Sequence, residues 1–365
     1  MAGQGPLAGV RVLEFAGIGP GPFCVQLLSD LGADVVRIER PRETPPAMRD
    51  PTGRGRVSLA IDVKSKEGQA LCKAAIAKAD VLIEGYRPGV MERLGLGPGE
   101  ALAINPRLIY GRMTGWGQDG PLAQAAGHDI NYIALTGALA SIGQPDRPPP
   151  PPLNLIGDFG GGALYLALGI AAALFERERS GKGQVIDAAM IDGAASLMTM
   201  FYGMGAHNPK LVKRAFGALS GAQHYYRCYE CADGRYVAVG AIEPHFRAEL
   251  IERLGLPADA VDAGDPAEWP GKIDALAQVF KQKTRDEWRE VLEGTDACFA
   301  PVLEIDEAPD HPHMRARETF VEVDGVVQPG VAPRFSRTPG QVQGPAPRVG
   351  EGGAERLKSW GVEAG

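Results

Sequence analysis

Two short stretches of this 365-residue chain combine ionisable side chains with glycines in ways that could serve chemistry. The first is Ala126-Gly127-His128-Asp129-Ile130-Asn131-Tyr132, where a histidine follows a glycine at the entrance to a helical run. It is the only histidine in the first 200 residues, and Asp129 and Tyr132 stand beside it. An imidazole there is either an acid/base group working near neutral pH or a structural ring, and both readings stand at this point. The second stretch is Gly157-Asp158-Phe159-Gly160-Gly161-Gly162, ahead of a long apolar run. Asp158 reads as a helix N-cap, or as part of a site whose glycines admit a ligand and whose amides stabilise an oxyanion.

Other motifs are weaker. Gly17-Ile18-Gly19-Pro20-Gly21-Pro22 follows an apolar strand and suggests a dinucleotide fingerprint, with Glu39 some twenty residues on. Pro22 stands where the third glycine should allow close helix–strand packing, so a nicotinamide or flavin is not expected. From Arg37 to Lys66 eight basic residues (Arg37, Arg40, Arg42, Arg49, Arg54, Arg56, Lys64, Lys66) face four acidic ones, and Arg87 and Arg93 add to them. Each could be solvated surface, yet the concentration in an acidic chain points to a multiply charged, phosphate-bearing ligand. Cys228-Tyr-Glu-Cys231 falls in a strand pattern, where positions three apart face opposite ways, so a metal or redox pair is not expected. His311-Pro312-His313 reads as surface loop.

The elements that must hold these residues alternate. Val10 to Phe15, Asp34 to Ile38, Val81 to Glu84 and Leu108 to Met113 read as strands, with Arg56 to Ile61 a further candidate. Helical patterns run from Phe23 to Leu31 and Gln69 to Lys78, so βαβ units and a mainly parallel sheet follow. Gly162 to Arg177 and Ala189 to Gly205 are apolar helical stretches, separated by a strand-like Gly183 to Asp187. Beyond residue 220, Tyr225 to Cys231 and Arg235 to Val239 flank Ala232-Asp233-Gly234, a hairpin signal. Helical patterns over Glu243 to Leu254, Trp269 to Lys281 and Arg285 to Glu293 complete a smaller α+β domain. Pro329 to Val349 reads as an extended connection to a final helix near Glu351 to Trp360.

A net charge of −7 argues against a nucleic-acid binder, because phosphate contacts along a duplex need a basic face. Met1 to Leu13 lacks a basic stretch followed by an apolar one, so no secretory leader is expected. The most apolar stretch, Ala163 to Phe175, has thirteen residues, short of the roughly 20 needed to span a bilayer, so no membrane partner is expected. Five scattered cysteines fit a reducing cytoplasm.

Several stretches in order carry a resemblance: Gly17–Pro22, Ala33–Pro41, Gly85–Gly97, Gly127–Tyr132, Pro152–Gly162, Ser180–Ala188, Tyr229–Pro244 and Asp296–Leu303. Through them the chain resembles the α-methylacyl-CoA racemase family, within the family III CoA-transferase superfamily. The resemblance implies a large Rossmann-like α/β domain over 1–187, completed by 332–365, and a small α+β domain over 225–308. The linkers would be 188–224 and 309–331. It implies His128 and Asp158 as the catalytic pair, with Glu243 orienting or tuning the histidine from the partner chain of an interlocked homodimer. It implies contacts from Arg40, Ile61, Tyr86, Arg87 and Arg93 to the coenzyme A nucleotide and phosphates. Gly127, Asp129 and Tyr132 would lie near the thioester.

The implied reaction removes and returns a proton at the α-carbon of a 2-methylacyl-CoA thioester. It uses one group on each face of the enolate and needs no metal or redox cofactor, coenzyme A being part of the substrate. The alternative is CoA transfer through a mixed anhydride on Asp158. Transferase relatives are not expected to carry the Gly-His-Asp-Ile-Asn-Tyr run, so His128 favours the racemase. A CoA-binding regulator without turnover is disfavoured by the intact set His128, Asp158 and Glu243. One departure concerns Leu219-Ser220-Gly221-Ala222-Gln223-His224, where relatives tend to show Asp-Gly-Gly-Ala-Pro. His224 is expected to be a surface residue rather than a new substrate contact.

Overall fold

The computed structural model describes residues 4–41, 50–260 and 264–362. Strands buried mainly on both faces, with a largely exposed edge strand β6, build its main sheet: β1 (Arg11–Phe15), β2 (Asp34–Glu39), β3 (Val57–Ala60), β4 (Val81–Glu84), β5 (Ile109–Thr114) and β6 (Gln184–Ala189). All six are parallel, in the order β3-β2-β1-β4-β5-β6. Crossover helices are α1 (Pro20–Asp30), α2 (Lys66–Ile76), α3 (Val90–Arg93), α4 (Pro98–Ile104), α5 (Asp129–Leu135) and α6 (Leu164–Ser180).

Side-chain alternation sorts β1 between two cores. Leu13 and Phe15 join Val36, Leu82, Cys72 and Ile76 on the α2 side. Val12 joins Val35, Val81 and Ile109 against Cys24, Val25 and Leu28 of α1 and Leu166 and Ile170 of α6. The strand order reverses direction between β1 and β4, and in such sheets the crevice for a ligand opens at the carboxyl ends of those strands.

A π-helical segment, Leu155–Ala163, precedes α6 without a break. The continuous helix Leu155–Ser180 has 26 residues and is apolar and long enough to cross a membrane by those criteria alone, so the thirteen-residue sequence reading understated it. Ala163, Leu166, Ile170 and Ala173 of this helix pack into the sheet core.

After β6 come α7 (Met190–Leu197) and α8 (Thr199–His207), where one apolar helical stretch was expected. The chain divides into two compact units, the first comprising Met1–Thr136, Pro152–Leu197 and Pro312–Gly365, the second Gly137–Pro151 and Met198–His311. The second unit carries an antiparallel sheet, β7 (Tyr226–Glu230), β8 (Tyr236–Gly240) and β9 (Phe299–Pro301), with α9 (Pro244–Leu254), α10 (Trp269–Phe280) and α11 (Arg285–Leu292). Its core gathers Tyr229, Val237, Leu250, Phe280 and Trp288.

The chain then returns to the first unit through α12 (Pro312–Ala316), the hairpin β10 (Phe320–Val323) and β11 (Val326–Pro329), and α13 (Gly353–Ser359). The return is tied down by hydrogen bonds. Gln343 Nε2 donates to the carbonyls of Ser29 and Ala33, and Trp360 Nε1 donates to Asp34 Oδ2 at 2.8 Å.

Candidate active site

A cavity of about 660 Å³ opens in the first unit at the ends of β1, β4 and β5, with Glu14, Phe15, Ile83, Glu84, Met113 and Thr114 at its floor. Its walls are the Gly17–Pro22 turn, the Gly85–Pro88 turn, the approach to α5 and the π-helical segment. Of the residues singled out from the sequence, Tyr86, Arg87, Gly127, His128, Tyr132 and Asp158 line it together.

His128 is the N-cap of α5, in extended backbone. Its own amide donates to Asn131 Oδ1 at 3.0 Å, which anchors the cap and leaves the ring exposed at the cavity. Tyr132, one turn on, donates its hydroxyl to the Gly127 carbonyl at 2.5 Å and meets Trp116 edge to face. The turn carrying His128 is thereby fastened from below.

Asp158 is half-buried in the π-helical segment, where Asn154 Nδ2 donates to its Oδ2 at 3.2 Å. Burial pushes its carboxyl above the usual range; Asp129 adds to this, while Asn154 and the His128 charge oppose it. Across the cavity Gly19 has φ +67°, and a side chain there would meet Asp158 Oδ2 at 3.0 Å. That turn needs glycine for its backbone and for the carboxylate it faces.

The glycines after Asp158 do something other than expected. A Cβ on Gly161 would lie 2.6 Å from the Ala194 amide, and one on Gly193 of α7 would lie 1.8 Å from the Gly161 carbonyl. They let α7 pack directly on the π-helical backbone rather than admitting a ligand. The amides of Gly157 and Asp158 are taken by Asp129 Oδ2, at 2.6 and 2.7 Å, so they are not donors to an oxyanion. Asp158 lies within the helical segment and is not its N-cap.

Asp129 does not line the cavity; it is buried, 5% exposed, behind it. Arg40 and Arg93 are exposed near its strands and also fall outside its lining. Ile61 lines a second hollow of about 570 Å³ with Pro41, Ser65 and Leu71. Glu243 is exposed at the N-cap of α9 in the second unit.

Two arginines of the basic cluster are not available to a ligand. Arg54 is buried in a fork with Asp30 (2.5 Å) and also donates to Gln328 (2.9 Å) and the Pro329 carbonyl. Arg56 is buried against both oxygens of Glu14 at 2.8 Å, where a buried charge needs its counter-charge. Arg37 leans on Glu14 and Glu39. Arg42 and Arg49 lie outside the described residues.

The remaining motifs resolve simply. Cys228 is exposed and Cys231 buried, as strand geometry requires. His311 is partly buried and paired with Glu293 at 2.6 Å, while Pro312 and His313 are exposed, as expected of surface, but at the start of α12 and not in a loop. His224 is fully buried against Tyr225, correcting the expected surface position.

Sequence reading missed Asn154, Glu84 and Trp116 as site residues. Asn154 sits four residues before Asp158, a helical spacing whose signal was there but lay outside the expected helix.

The chain belongs to CoA-transferase family III, whose model matches residues 7–352. It is 45% identical to the alpha-methylacyl-CoA racemase of Mus musculus over 97% of this chain and 93% of that protein. It is 44% identical to the Homo sapiens protein of the same name over 91% and 87%. It is also 33% identical to the succinyl-CoA–D-citramalate CoA-transferase of Chloroflexus aurantiacus over 95% and 92%. A solved CAIB/BAIF family protein from Brucella suis matches with a TM-score of 0.85 at 29% identity, covering 98% of this chain and all of that one. The resemblance read from the sequence is borne out, and so is the α/β fold with its parallel sheet. Likeness to two racemases over nearly the full length supports an isomerase.

Proposed function

We propose that the protein interconverts R and S 2-methylacyl-CoA thioesters by 1,1-proton transfer through an enolate, with His128 and Asp158 as the two acid/base groups. One observation carries the reading: both stand at the same cavity, close enough for the His128 charge to act on the Asp158 carboxyl. In one direction neutral His128 takes the α-proton, and its electron pair moves into the thioester carbonyl to form the enolate. The protonated Asp158 then delivers a proton to the opposite face as the carbonyl reforms. In the other direction the protonation states are exchanged. The electrons return to a C–H bond at the same carbon, so the chemistry calls for no electron acceptor. Burial raises the Asp158 carboxyl, which is the direction that favours its protonated form.

The reading includes coenzyme A held through Arg40, Ile61, Tyr86, Arg87 and Arg93, with Gly127 and Tyr132 close to the thioester end; Asp129, buried outside the cavity lining, is not among these contacts. It includes an interlocked homodimer in which Glu243 of one protomer orients His128 of the other. Co-expressed His128→Ala and Glu243→Ala chains would then regain activity in mixed dimers, each single variant being impaired.

The deciding experiment incubates one enantiomer of a 2-methylacyl-CoA with the protein in D2O. Deuterium at C2 together with epimerisation is expected. Neither, across several acyl chains, sinks the reading, and CoA passing to an added carboxylate promotes transfer through Asp158. Replacing His128 by Ala or Asp158 by Asn should each cost racemisation at least about 100-fold in kcat.

A further inference from the structure

Asp129 occupies a place that neither the reaction nor the coenzyme explains. It is the first residue of α5, next to His128, yet its carboxylate turns away from the cavity and is buried. Its Oδ2 accepts the amides of Gly157 and Asp158 at 2.6 and 2.7 Å. In a π-helix each amide reaches the carbonyl five residues back, so the opening turn has donors with no partner inside the helix. Phe159 is already satisfied, by the Asn154 carbonyl at 3.2 Å. Asp129 supplies the acceptor for the two amides before it. A carboxylate is suited to that task, because the start of a helix carries partial positive charge.

The fit leaves no slack. Gly157 is buried, and a Cβ on it would come within 2.7 Å of Asp129 Oδ2. No other residue at 157 lets the carboxylate in.

We propose that Asp129 is a positioning residue for Asp158, its carboxylate clamping the opening π turn and so fixing where the Asp158 carboxyl stands against Asn154 and Gly19. The inference rests on the reading that Asp158 exchanges the α-proton. The clamp also acts electrostatically: Asp129 is a like charge beside Asp158 and adds to burial in favouring its protonated form. The other groups acting on Asp158 are Asn154, which donates to it, and His128 from the α5 N-cap, while Tyr132 of α5 is within range of its charge. Asp129 thus ties the His128 turn to the Asp158 turn through one side chain.

The test uses Asp129→Asn, which keeps an oxygen able to accept both amides and removes the charge, and Asp129→Ala, which removes both. The Asp158 carboxyl is titrated by 13C NMR in the free protein, its signal assigned by its loss in Asp158→Asn. In parallel, kcat, KM and the pH profile are measured by C2 deuterium exchange with a 2-methylacyl-CoA. In Asp129→Asn, Asp158 should titrate at lower pH. The limb of the kcat profile that reports the protonated carboxyl should move the same way, with KM within about twofold. Asp129→Ala should lose about 100-fold in kcat, the scale expected when a reacting group is displaced by about an ångström.

An unchanged titration and profile in folded Asp129→Asn overturns the proposal. So does a rise in KM alone, which would make Asp129 a substrate contact. If Asp129→Ala does not fold, Asp129→Asn still decides. If the parent protein exchanges no proton with any 2-methylacyl-CoA, the racemase reading fails, while the NMR titration still reports whether Asp129 holds Asp158.

Discussion

At the scale of single residues, Gly19 is an exacting position in the cavity wall. Its φ of +67° favours glycine, and the space beyond its Cα is filled by Asp158. With ψ of −117° Gly19 also lies outside the left-handed helical region, so Gly19→Ala should cost about 1–3 kcal/mol of backbone strain. It should also press on the carboxyl, lowering kcat about tenfold or more with a smaller change in KM. Steady-state kinetics beside a thermal melt would separate the two effects. His128 and Asp158 stood out by residue type, and both line the cavity, although the glycines after Asp158 serve helix packing and not a ligand. The uses of Arg54 and Arg56 were not, because the carboxylates that hold them, Asp30 and Glu14, lie 24 and 42 residues away in the chain. A count of basic residues along a sequence cannot separate a phosphate ligand from an internal partner brought in by folding.

At the scale of elements, β4 ends in a carboxylate under tension. Glu84 is 1% exposed; it accepts the Tyr86 amide at 2.8 Å and Arg112 Nε at 3.0 Å, and so braces the turn that brings Tyr86 and Arg87 to the cavity. Burial nevertheless raises its carboxyl from 4.5 to about 7. The folded state therefore binds more protons here than the unfolded chain between those two values. This contribution to stability falls as pH rises through that window and is constant above it. Glu84→Gln should remove that slope. Urea midpoints at pH 5 and pH 8 should differ less between those pH values in the variant than in the parent, once other groups are cancelled by comparison.

Legibility varied among elements for local reasons. The β7–β8 hairpin announced itself through Ala232-Asp233-Gly234. The β10–β11 hairpin was passed over although Asp324-Gly325, with φ of 53° and 77°, is a turn pair of the same kind. The π-helical segment was hidden, since its cause is packing: α7 lies on Gly161 and Asp129 caps its start.

For the chain as a whole, strand–helix alternation was enough to expect a parallel sheet, but not its order, which depends on which strands find β1. The contribution of the returning segment was equally hidden. Trp360 is buried with Leu357 and Val362 in the same core as Leu13 and Ile38, and its ring nitrogen is spent on Asp34. Trp360→Ala should destabilise the first unit by about 3–5 kcal/mol. This would be read as a lower urea midpoint for signals from that unit, with the second unit's transition unmoved.

The three-piece first unit has a consequence for how the protein is made. Asp34 emerges from the ribosome 326 residues before Trp360, and Ser29 emerges 314 before Gln343. At about 5–20 residues per second, the early strands wait tens of seconds for the segment that covers them. The second unit, lying largely in one stretch, can finish first. During that interval the α2-side core is open, and a nascent chain in this state is a natural client for a chaperone that shields apolar sheet faces.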